Sequence, residues 1–386
     1  MRSVGTDSIC VLDLRICPAT VVGFAIFRTM STPLRILLLL IVAASVLPTS
    51  RAEAHEGWGI VVDATGRVYF ADIPANIIGR ISKEGKLERV ALGKHSHALV
   101  LDSAGNVYGT NPHLTLPIRS VWRLTPHGHL TDLVAPTEGL PLGLQSFIMD
   151  GASSMYSVNA RNAQTPDLLL LKRSHDGEIT TLAGSSVGYA DGTGAQAKFM
   201  GIDGMAWGPD GALYLADGPY VRRVALDGTV TTLGAGPLTE RQWDEDLLGI
   251  AVNPSGEVYA ADHANRRILK ISPAGPVDIV LRTGPLWTPT GIVVAGDGLY
   301  VLEHLRMPLA ILGDLAVGPY IRVRKVSGDG GVTVLARIWG RRSVAAGSVT
   351  AAVVGLIVGA KWFRRRRKPP NTPLQPMSGA GTPSTS

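Results

Sequence analysis

A tyrosine followed three positions later by an acid or an amide recurs along the chain, and this repeat constrains the fold more than any other feature. The six pairs are Tyr69/Asp72, Tyr108/Asn111, Tyr156/Asn159, Tyr214/Asp217, Tyr259/Asp262 and Tyr300/Glu303. Successive tyrosines are about 40 to 60 residues apart, which is the repeat length of propeller blades. Because one blade cannot bury its own faces, the repeats must pack around a common axis. The sequence therefore predicts an all-β fold, a six-bladed β-propeller.

The first copy shows the predicted four-strand unit of a blade. Residues 59–63 and 67–72 are rich in β-branched and aromatic residues and flank a turn at 64–66. The outer pair of strands is predicted at 77–82 and 86–92. Glycine-containing turns at fixed positions between β-rich runs indicate hairpins. The later copies begin near His97, Gln145, Asp203, Leu248 and Pro289.

Two segments in the middle of the chain carry a family resemblance. They are Gly204–Asp217 (GMAWGPDGALYLAD) and Leu248–Ile268 (LGIAVNPSGEVYAADHANRRI). Both resemble the repeats of NHL proteins, and Gly188–Phe199 is similar to the inter-blade connectors of that family. The resemblance implies an NHL-type propeller over residues 55–340, with an insertion in the last copy at Leu305–Pro319. It implies no particular activity, because propellers host many functions.

The N-terminal residues 1–54 are predicted to be an extension followed by a secretory signal peptide. The pattern is a basic Arg35, an apolar run at 36–47 and an Ala-x-Ala site ending at Ala54. The fit is better if translation starts at Met30 rather than at the first methionine. An uncleaved membrane anchor is the alternative interpretation.

The C-terminal residues are predicted to hold the protein in the cell membrane. Residues 343–360 form an apolar run without charge, just long enough to cross a hydrocarbon core of ~30 Å. The basic run 364–368 follows, and the positive-inside rule places it in the cytoplasm. We therefore expect a single-pass protein with one transmembrane helix at 343–361, an extracytoplasmic propeller and a disordered tail at 362–386. A buried core helix is the alternative.

Small residues recur at every fourth position of the predicted span: Gly347, Ala351, Gly355 and Gly359. Such a stripe lies on one helix face and lets two helices approach closely. A homodimer through this face is therefore one interpretation. The other is that weakly hydrophobic spans are rich in glycine and alanine in any case.

Charge and cysteine content exclude two classes of site from the propeller. The formal net charge is +6, but much of the excess lies at 364–368, so we expect no nucleic-acid partner. The two cysteines, Cys10 and Cys17, both precede the repeats. The propeller therefore has no disulfide and no metal site built on thiolates.

Antiparallel alternation brings two rings of residues to the same end of the propeller channel, its mouth. The mouth ring precedes the inner strands and is predicted to contain Trp58, His97, Gln145, Asp203, Leu248 and Pro289. The strand-end ring closes the second strands and contains Asp72, Asn111, Asn159, Asp217, Asp262 and Glu303. Two histidines, His263 and His304, directly follow members of the strand-end ring.

The strand-end ring has two interpretations. An acid or amide at a strand end can bind the backbone of the next turn, which is a structural role. Alternatively, side chains here bind a ligand, and the candidates are Asn111, Asn159, Glu303, His263 and His304. The mouth ring differs from copy to copy, which favours a ligand-binding role for that ring.

A second resemblance concerns the segment 203–205, Asp-Gly-Met. It is similar to a segment of the gluconolactonase-like propellers, in which the aspartate binds a divalent metal and acts as the base. The resemblance implies that Asp203 is a catalytic residue. The two asparagine ligands of that family correspond here to His97 and Gln145, and its glutamate ligand corresponds to Trp58.

Two classes of function remain open. The first is a binding or scaffold module that takes a protein or a small polar ligand at the channel mouth. The second is a metal-dependent hydrolase of the lactonase type, in which His97, Gln145 and Asp203 hold one Ca²⁺ or Zn²⁺. A metal-bound water near Asp203 would then be the nucleophile. A bound divalent ion, or a tight cluster of the three side chains, distinguishes the two.

Overall fold

A computed structural model of the chain describes most of the repeat region. The described residues are 56–73, 75–112, 119–133, 142–151, 154–159, 166–234, 236–239, 247–305 and 321–338. Among them, no helix is long and apolar enough to cross a membrane. The predicted signal peptide, the span at 343–361, the tail at 362–386 and residues 306–319 of the insertion lie outside the described residues. The small residues of the span lie outside them as well: Gly347, Ala351, Gly355 and Gly359.

The first three blades contain four strands each. Blade 1 contains β1 Ile60–Val62, β2 Val68–Asp72, β3 Ile77–Ile81 and β4 Leu87–Leu92. Blade 2 contains β5 Leu99–Leu101, β6 Val107–Pro112, β7 Arg119–Leu124 and β8 Leu130–Asp132. Blade 3 contains β9 Leu142–Met149, β10 Met155–Asn159, β11 Leu168–Arg173 and β12 Ile179–Ser185.

The last three blades follow the same plan. Blade 4 contains β13 Gly192–Thr193, a 3-10 turn at Gly194–Gln196, β14 Ile202–Trp207, β15 Leu213–Asp217, β16 Tyr220–Val224 and β17 Thr229–Leu233. Blade 5 contains β18 Leu247–Val252, β19 Val258–Asp262, β20 Arg267–Ile271 and β21 Val277–Arg282. Blade 6 contains β22 Trp287–Ala295, β23 Gly298–Leu305, β24 Ile321–Ser327 and β25 Val332–Ile338.

The strand order confirms the predicted architecture. In five of the six sheets, strands that are consecutive in the chain are neighbours, and β14 to β17 of blade 4 follow the same order. Blade 4 has one addition, because β13 pairs with the outer strand β17. Each tyrosine of the repeat lies in the second strand of its blade. The all-β, six-bladed propeller, which the NHL resemblance also implies, is therefore confirmed.

The repeated tyrosine anchors the turn between the first two strands of its blade. Tyr156 is completely buried. The hydroxyl of Tyr108 donates to Asp102 Oδ2 at 2.9 Å, and that of Tyr214 donates to Asp210 Oδ2 at 3.3 Å. Burial raises the pKa of Tyr108, and the Asp102 carboxylate raises it further, so the phenol remains a donor at neutral pH. The turn acids explain why a tyrosine, rather than a phenylalanine, recurs at this position.

Blade 6 packs directly against blade 1 and closes the ring. Phe70 of β2 shares a buried cluster with Leu302 and Val323 of blade 6. The hydroxyl of Thr290 donates to the carbonyl oxygen of Gly57 at 2.9 Å. Among the described residues, no strand is exchanged between the first and last blades. Closure therefore depends on side-chain packing and on a small number of hydrogen bonds.

Candidate functional site

Bulges in the inner strands shape the channel mouth. In blade 4 the register shifts between Ile202 and Met205, which leaves Asp203 and Gly204 in the bulge. The inner strand of blade 5 shifts at the equivalent place. A bulge redirects the side chains that it contains. In blade 4 the bulge places Asp203 against the central cavity.

The strand register of blade 6 shows that one member of the predicted mouth ring was wrong. Pro289 pairs with Glu303 just as Leu247 pairs with Asp262 in blade 5, so these two inner-strand residues are equivalent. Thr290, in the bulge that follows, therefore takes the position predicted for Pro289. The mouth ring consists of Trp58, His97, Gln145, Asp203, Leu248 and Thr290.

Blade order determines which members of the mouth ring lie across from one another. In a ring of six blades, each blade is opposite the one three places further along. The opposed positions are Trp58 and Asp203, His97 and Leu248, and Gln145 and Thr290. The side chain of Gln145 lies outside the described part of the structure. An indole and a carboxyl group therefore occupy opposite sides of the mouth.

A cavity of about 240 Å³ runs along the channel and is lined by the inner strands of all six blades. Among the described residues that line it, Asp203 is the only ionisable one. The aromatic members of the lining are Trp58, Phe147 and Trp207. The cavity therefore combines a single carboxyl group with walls of backbone and apolar side chains.

The acids of the strand-end ring in blades 4 and 5 are engaged inside the protein. Asp217 is completely buried and accepts hydrogen bonds from Gly201 N at 2.9 Å and Arg222 Nη1 at 2.8 Å. Asp262 accepts from Arg267 Nε at 2.6 Å. Burial raises the pKa of Asp217, and the arginine and backbone donors oppose that rise. These donors favour the charged form of the Asp217 carboxyl group, against the effect of burial.

The two amides of the strand-end ring also bind local backbone. Asn111 Oδ1 accepts the N–H of His95 at 3.2 Å. Asn159 Oδ1 accepts the N–H of Leu169 at 2.8 Å, and its Nδ2 donates to the carbonyl oxygen of Asp167 at 3.0 Å. These contacts are the ones that the structural interpretation of the ring requires. A ligand-binding role for either amide stays a prediction.

Glu303 lies between two arginines in the sixth blade. Its completely buried carboxylate accepts from Arg322 Nε at 2.5 Å and from Arg324 Nη2. The guanidinium of Arg322 also lies 4.0 Å from the ring centroid of Trp287. The carboxylate is thus directed into the blade, and a role for Glu303 in ligand binding stays a prediction.

The two histidines that follow the strand-end ring contact the segment that leads into blade 1. His263 is completely buried, and its Nε2 lies 3.0 Å from Glu56 Oε2. His304 Nδ1 lies 3.0 Å from the hydroxyl of Thr290, which itself donates to Gly57 O. Both side chains therefore help to hold residues 56–58 against blades 5 and 6.

His97 is packed within the wall of the mouth. Its ring is only 3% exposed, and its centroid lies 5.1 Å from that of Trp58 and 5.3 Å from that of His95. Its carbonyl oxygen accepts the N–H of Trp58 at 2.9 Å. His97 therefore supports the indole of Trp58, which itself lines the cavity.

The described side chains do not fit the metal site that the gluconolactonase-like resemblance implies. Among the described residues, no group of three or more His, Cys, Asp or Glu side chains is placed to hold a metal ion. The glutamate position of that site is occupied by Trp58, and an indole supplies no metal ligand. Asp203 lines the cavity as a single oxygen donor.

Several contacts around the mouth were not predicted from the sequence. Arg222 and Arg267 each follow their strand-end aspartate by five positions, and this shared spacing was a usable signal. Glu56 offered no such signal, since its partner His263 is 207 positions away. Trp58 was predicted in the mouth ring, but its ring contact with His97 followed only from the three-dimensional arrangement.

Comparison with known proteins adds no family assignment. No family model matches the chain. No curated protein matches it either.

Solved structures match the chain at low similarity. The virginiamycin B lyase from Staphylococcus aureus is 15% identical with a TM-score of 0.44, over 75% of this chain and 86% of that one. A gluconolactonase from Xanthomonas campestris is 14% identical with a TM-score of 0.48, over 64% and 83%. A luciferin-regenerating enzyme is 19% identical with a TM-score of 0.48, over 64% and 83%. The chain's own strand topology establishes that it is a six-bladed β-propeller.

Proposed function

We propose that this protein is a binding module, a six-bladed propeller that takes a ligand at its channel mouth. The observation that carries the proposal is the contrast between the two rings. The described strand-end residues discussed above bind their own backbone or a neighbouring arginine. The mouth ring instead varies from blade to blade, and two of its members, Trp58 and Asp203, line the cavity. Variation from blade to blade at the mouth of a cavity is typical of a ligand-binding surface.

The proposal includes attachment to the outer face of the cell membrane. The apolar run at 343–360 and the basic run at 364–368 support it. The last strand, β25, supports it as well. Ile338 pairs with Ile321, which pairs with His304 beside the strand-end ring, so β25 ends at the mouth. Four further residues precede the apolar run and reach at most ~14 Å. In this proposal the mouth lies close to the lipid surface.

The alternative function is a metal-dependent lactone hydrolase centred on Asp203. In favour of it, Asp203 lines the cavity. Against it, the described donors do not assemble a metal site. The side chain of Gln145 is not described, so a metal site that includes Gln145 stays part of this alternative.

Metal dependence separates the two functions. The purified full-length chain is treated with chelator and assayed for lactone hydrolysis with Ca²⁺, Zn²⁺ or Mn²⁺. We expect no metal-dependent rate and no shift of the thermal midpoint. A hundredfold excess over the dissociation constant would contribute ~2.7 kcal/mol, which a melting curve detects easily. A metal-dependent rate that Asp203→Ala removes would instead establish the hydrolase.

Protease accessibility tests the proposed topology. Protease added to intact cells should degrade the propeller and spare an epitope placed after residue 386, because the tail is predicted to be cytoplasmic. Permeabilised cells are the control and should lose both. A propeller that is protected in intact cells contradicts the proposed topology.

A further inference from the structure

We propose that a pocket between blades 4 and 5 binds a neutral sugar, with a sugar ring stacked on Tyr220 and its hydroxyl groups bound by Arg267 and Asn265. Described residues of both blades line this pocket, and the apolar ones include Met200 and Leu238. None of the described residues that line it also lines the channel cavity. The sugar site is therefore separate from the channel mouth and goes beyond the proposed function.

The aromatic wall of the pocket is a tyrosine ring that is held in place. Tyr189 stacks on Tyr220, with ring centroids 4.1 Å apart and planes inclined by 19°. The hydroxyl of Tyr189 donates in turn to Thr232 Oγ1 at 3.1 Å. The face of an aromatic ring is electron-rich, and it attracts the C–H groups on one face of a sugar ring. Because the ring of Tyr220 is already held, it loses little conformational freedom when a sugar binds.

Blade 1 forms the turn of the pocket without the two polar side chains that blade 5 has there. The N–H of Asn265 donates to the strand-end aspartate of blade 5 at 3.1 Å, and the N–H of Ala75 does the same in blade 1 at 3.1 Å. The residue that follows has a positive φ in both turns. Arg267 then pairs with the strand-end aspartate in the position that Ile77 takes in blade 1. Since alanine and isoleucine suffice for this turn, the amide and the guanidinium are available for another role.

Arg267 and Asn265 retain hydrogen-bonding capacity beyond their contacts within the protein. Arg267 Nε donates to Asp262 Oδ2 at 2.6 Å, and its Nη2 donates to the carbonyl oxygen of Leu238 at 3.0 Å. A guanidinium has more N–H groups than these two bonds use, and the side chain is 23% exposed. Asn265 Nδ2 donates to Thr239 Oγ1 at 2.6 Å, so its Oδ1 is left as an acceptor. A sugar hydroxyl both donates and accepts, and adjacent hydroxyls therefore suit this donor and this acceptor.

The equivalent arginine of blade 4 is covered by the protein's own aromatic side chains. Arg222, which like Arg267 follows its strand-end aspartate by five positions, is completely buried. Its Cζ lies 5.0 Å from the ring centroid of Tyr189 and 5.5 Å from that of Phe199. In blade 5 the arginine instead borders a pocket of about 780 Å³. A position that aromatic rings fill in one blade is thus open to a ligand in the next.

Charge and size favour a neutral sugar over other small ligands. Among the described residues that line the pocket, Arg267 is the only charged one, so a cation is repelled. Asp262 compensates that charge at 2.6 Å, and an anion therefore gains little. A purely apolar ligand would cover the guanidinium without offering an acceptor. Benzene needs a cavity of only ~150 Å³, so a pocket of about 780 Å³ has room for more than one sugar ring.

Saturation-transfer NMR of the purified full-length chain with neutral disaccharides provides the direct test. The probes are maltose, cellobiose, lactose and gentiobiose, each at about 10 mM, which exceeds a dissociation constant of ~1 mM. At least one probe should receive saturation, most strongly at the ring C–H protons that lie on the tyrosine. Saturation of none of the probes overturns the proposal, and so does binding of a polyproline peptide without binding of any sugar. This measurement uses only wild-type protein and so does not depend on the folding of any variant.

Substitutions assign the binding to the pocket. Tyr220→Ala should weaken binding of the disaccharide about tenfold or more, and Tyr220→Phe should retain most of the affinity, because a phenyl ring still presents an aromatic face. Asn265→Ala and Arg267→Lys should each weaken it about threefold, since each loses a hydrogen bond to a hydroxyl. The matched control is Leu226→Ala, whose side chain is 55% exposed in the turn between β16 and β17, and it should bind normally. Unchanged affinity in Tyr220→Ala would overturn the assignment.

Vesicles distinguish the two sources of a sugar. Phosphatidylcholine vesicles with a synthetic lipid that carries the bound disaccharide are compared with vesicles without it. Sugar-dependent vesicle binding that the free disaccharide displaces identifies a lipid headgroup, and disaccharide binding without vesicle binding identifies a soluble saccharide; both support the proposal. Sugar binding that is kept in Tyr220→Ala and lost in Trp58→Leu places the sugar at the channel mouth. That result overturns this inference and leaves the proposed binding function intact.

Discussion

Gly291→Ala should destabilise the propeller by about 3 kcal/mol, at the upper end of the range for overpacked sites. A Cβ atom on Gly291 would lie 2.2 Å from the carbonyl oxygen of Trp58 and 2.9 Å from its carbonyl carbon. Both are backbone atoms, so no side-chain rotation relieves the clash. The inner strand of blade 6 must therefore move away from blade 1, at the junction that closes the ring. Thermal unfolding of the purified full-length chain should show a midpoint lower by roughly 6 to 10 °C.

Gly201→Ala is the matched control for this prediction. A Cβ atom at Gly201 meets nothing within 4 Å, and its backbone lies outside the left-handed region. The same methyl group should therefore change the midpoint little, within about 0.5 kcal/mol. Equal midpoints for the two alanine variants would show that blade 6 does not approach blade 1 as closely as described.

Asp217→Ala should cost about 3–5 kcal/mol, because it removes one partner of a buried ion pair. Asp217 and Arg222 are both completely buried. Without the carboxylate, Met200 N, Gly201 N and Arg222 Nη1 lose the acceptor that they share. Arg222 retains Asp191 at 2.9 Å, but that partner is half-exposed and compensates only in part. Denaturant unfolding at neutral pH should show a lower midpoint with an unchanged slope.

Two further variants show whether burial is the cause. Asp297→Ala removes a carboxylate that is 79% exposed and pairs with Lys325, and the midpoint should not change. Asp217→Asn keeps one acceptor oxygen but loses the charge, so it should lie between wild type and Asp217→Ala. If the buried and exposed alanine variants unfold at the same denaturant concentration, the pair contributes nothing to stability.

The blades were predictable from sequence because their signals are local. The second strand of blade 1 was predicted at 67–72 and lies at Val68–Asp72, and its third was predicted at 77–82 and lies at Ile77–Ile81. Tyrosines in the strands, glycines in the turns and acids at the strand ends all act within a few residues. Repetition then made each weak local signal strong.

The site was less predictable because its geometry depends on register and on distant partners. The bulge in blade 6 moved the mouth position from Pro289 to Thr290, and a bulge leaves no mark in the pattern of apolar residues. The pairing of Glu303 with Arg322 was hidden as well. The insertion between β23 and β24 stretches a spacing of five positions, seen in blades 4 and 5, to 19 positions in blade 6.

The absence of strand exchange makes all six blade junctions equivalent in topology. Each blade takes its strands from one continuous stretch of chain, so no covalent feature within the described residues marks where the circle starts. A circular permutant that joins residue 338 to residue 56 and opens between β4 and β5 would keep every strand pairing. It would also move the chain termini to a different blade. The ring is in this sense a modular scaffold. The position of the termini can change while the fold stays the same, and the blade through which the propeller is attached would change with it.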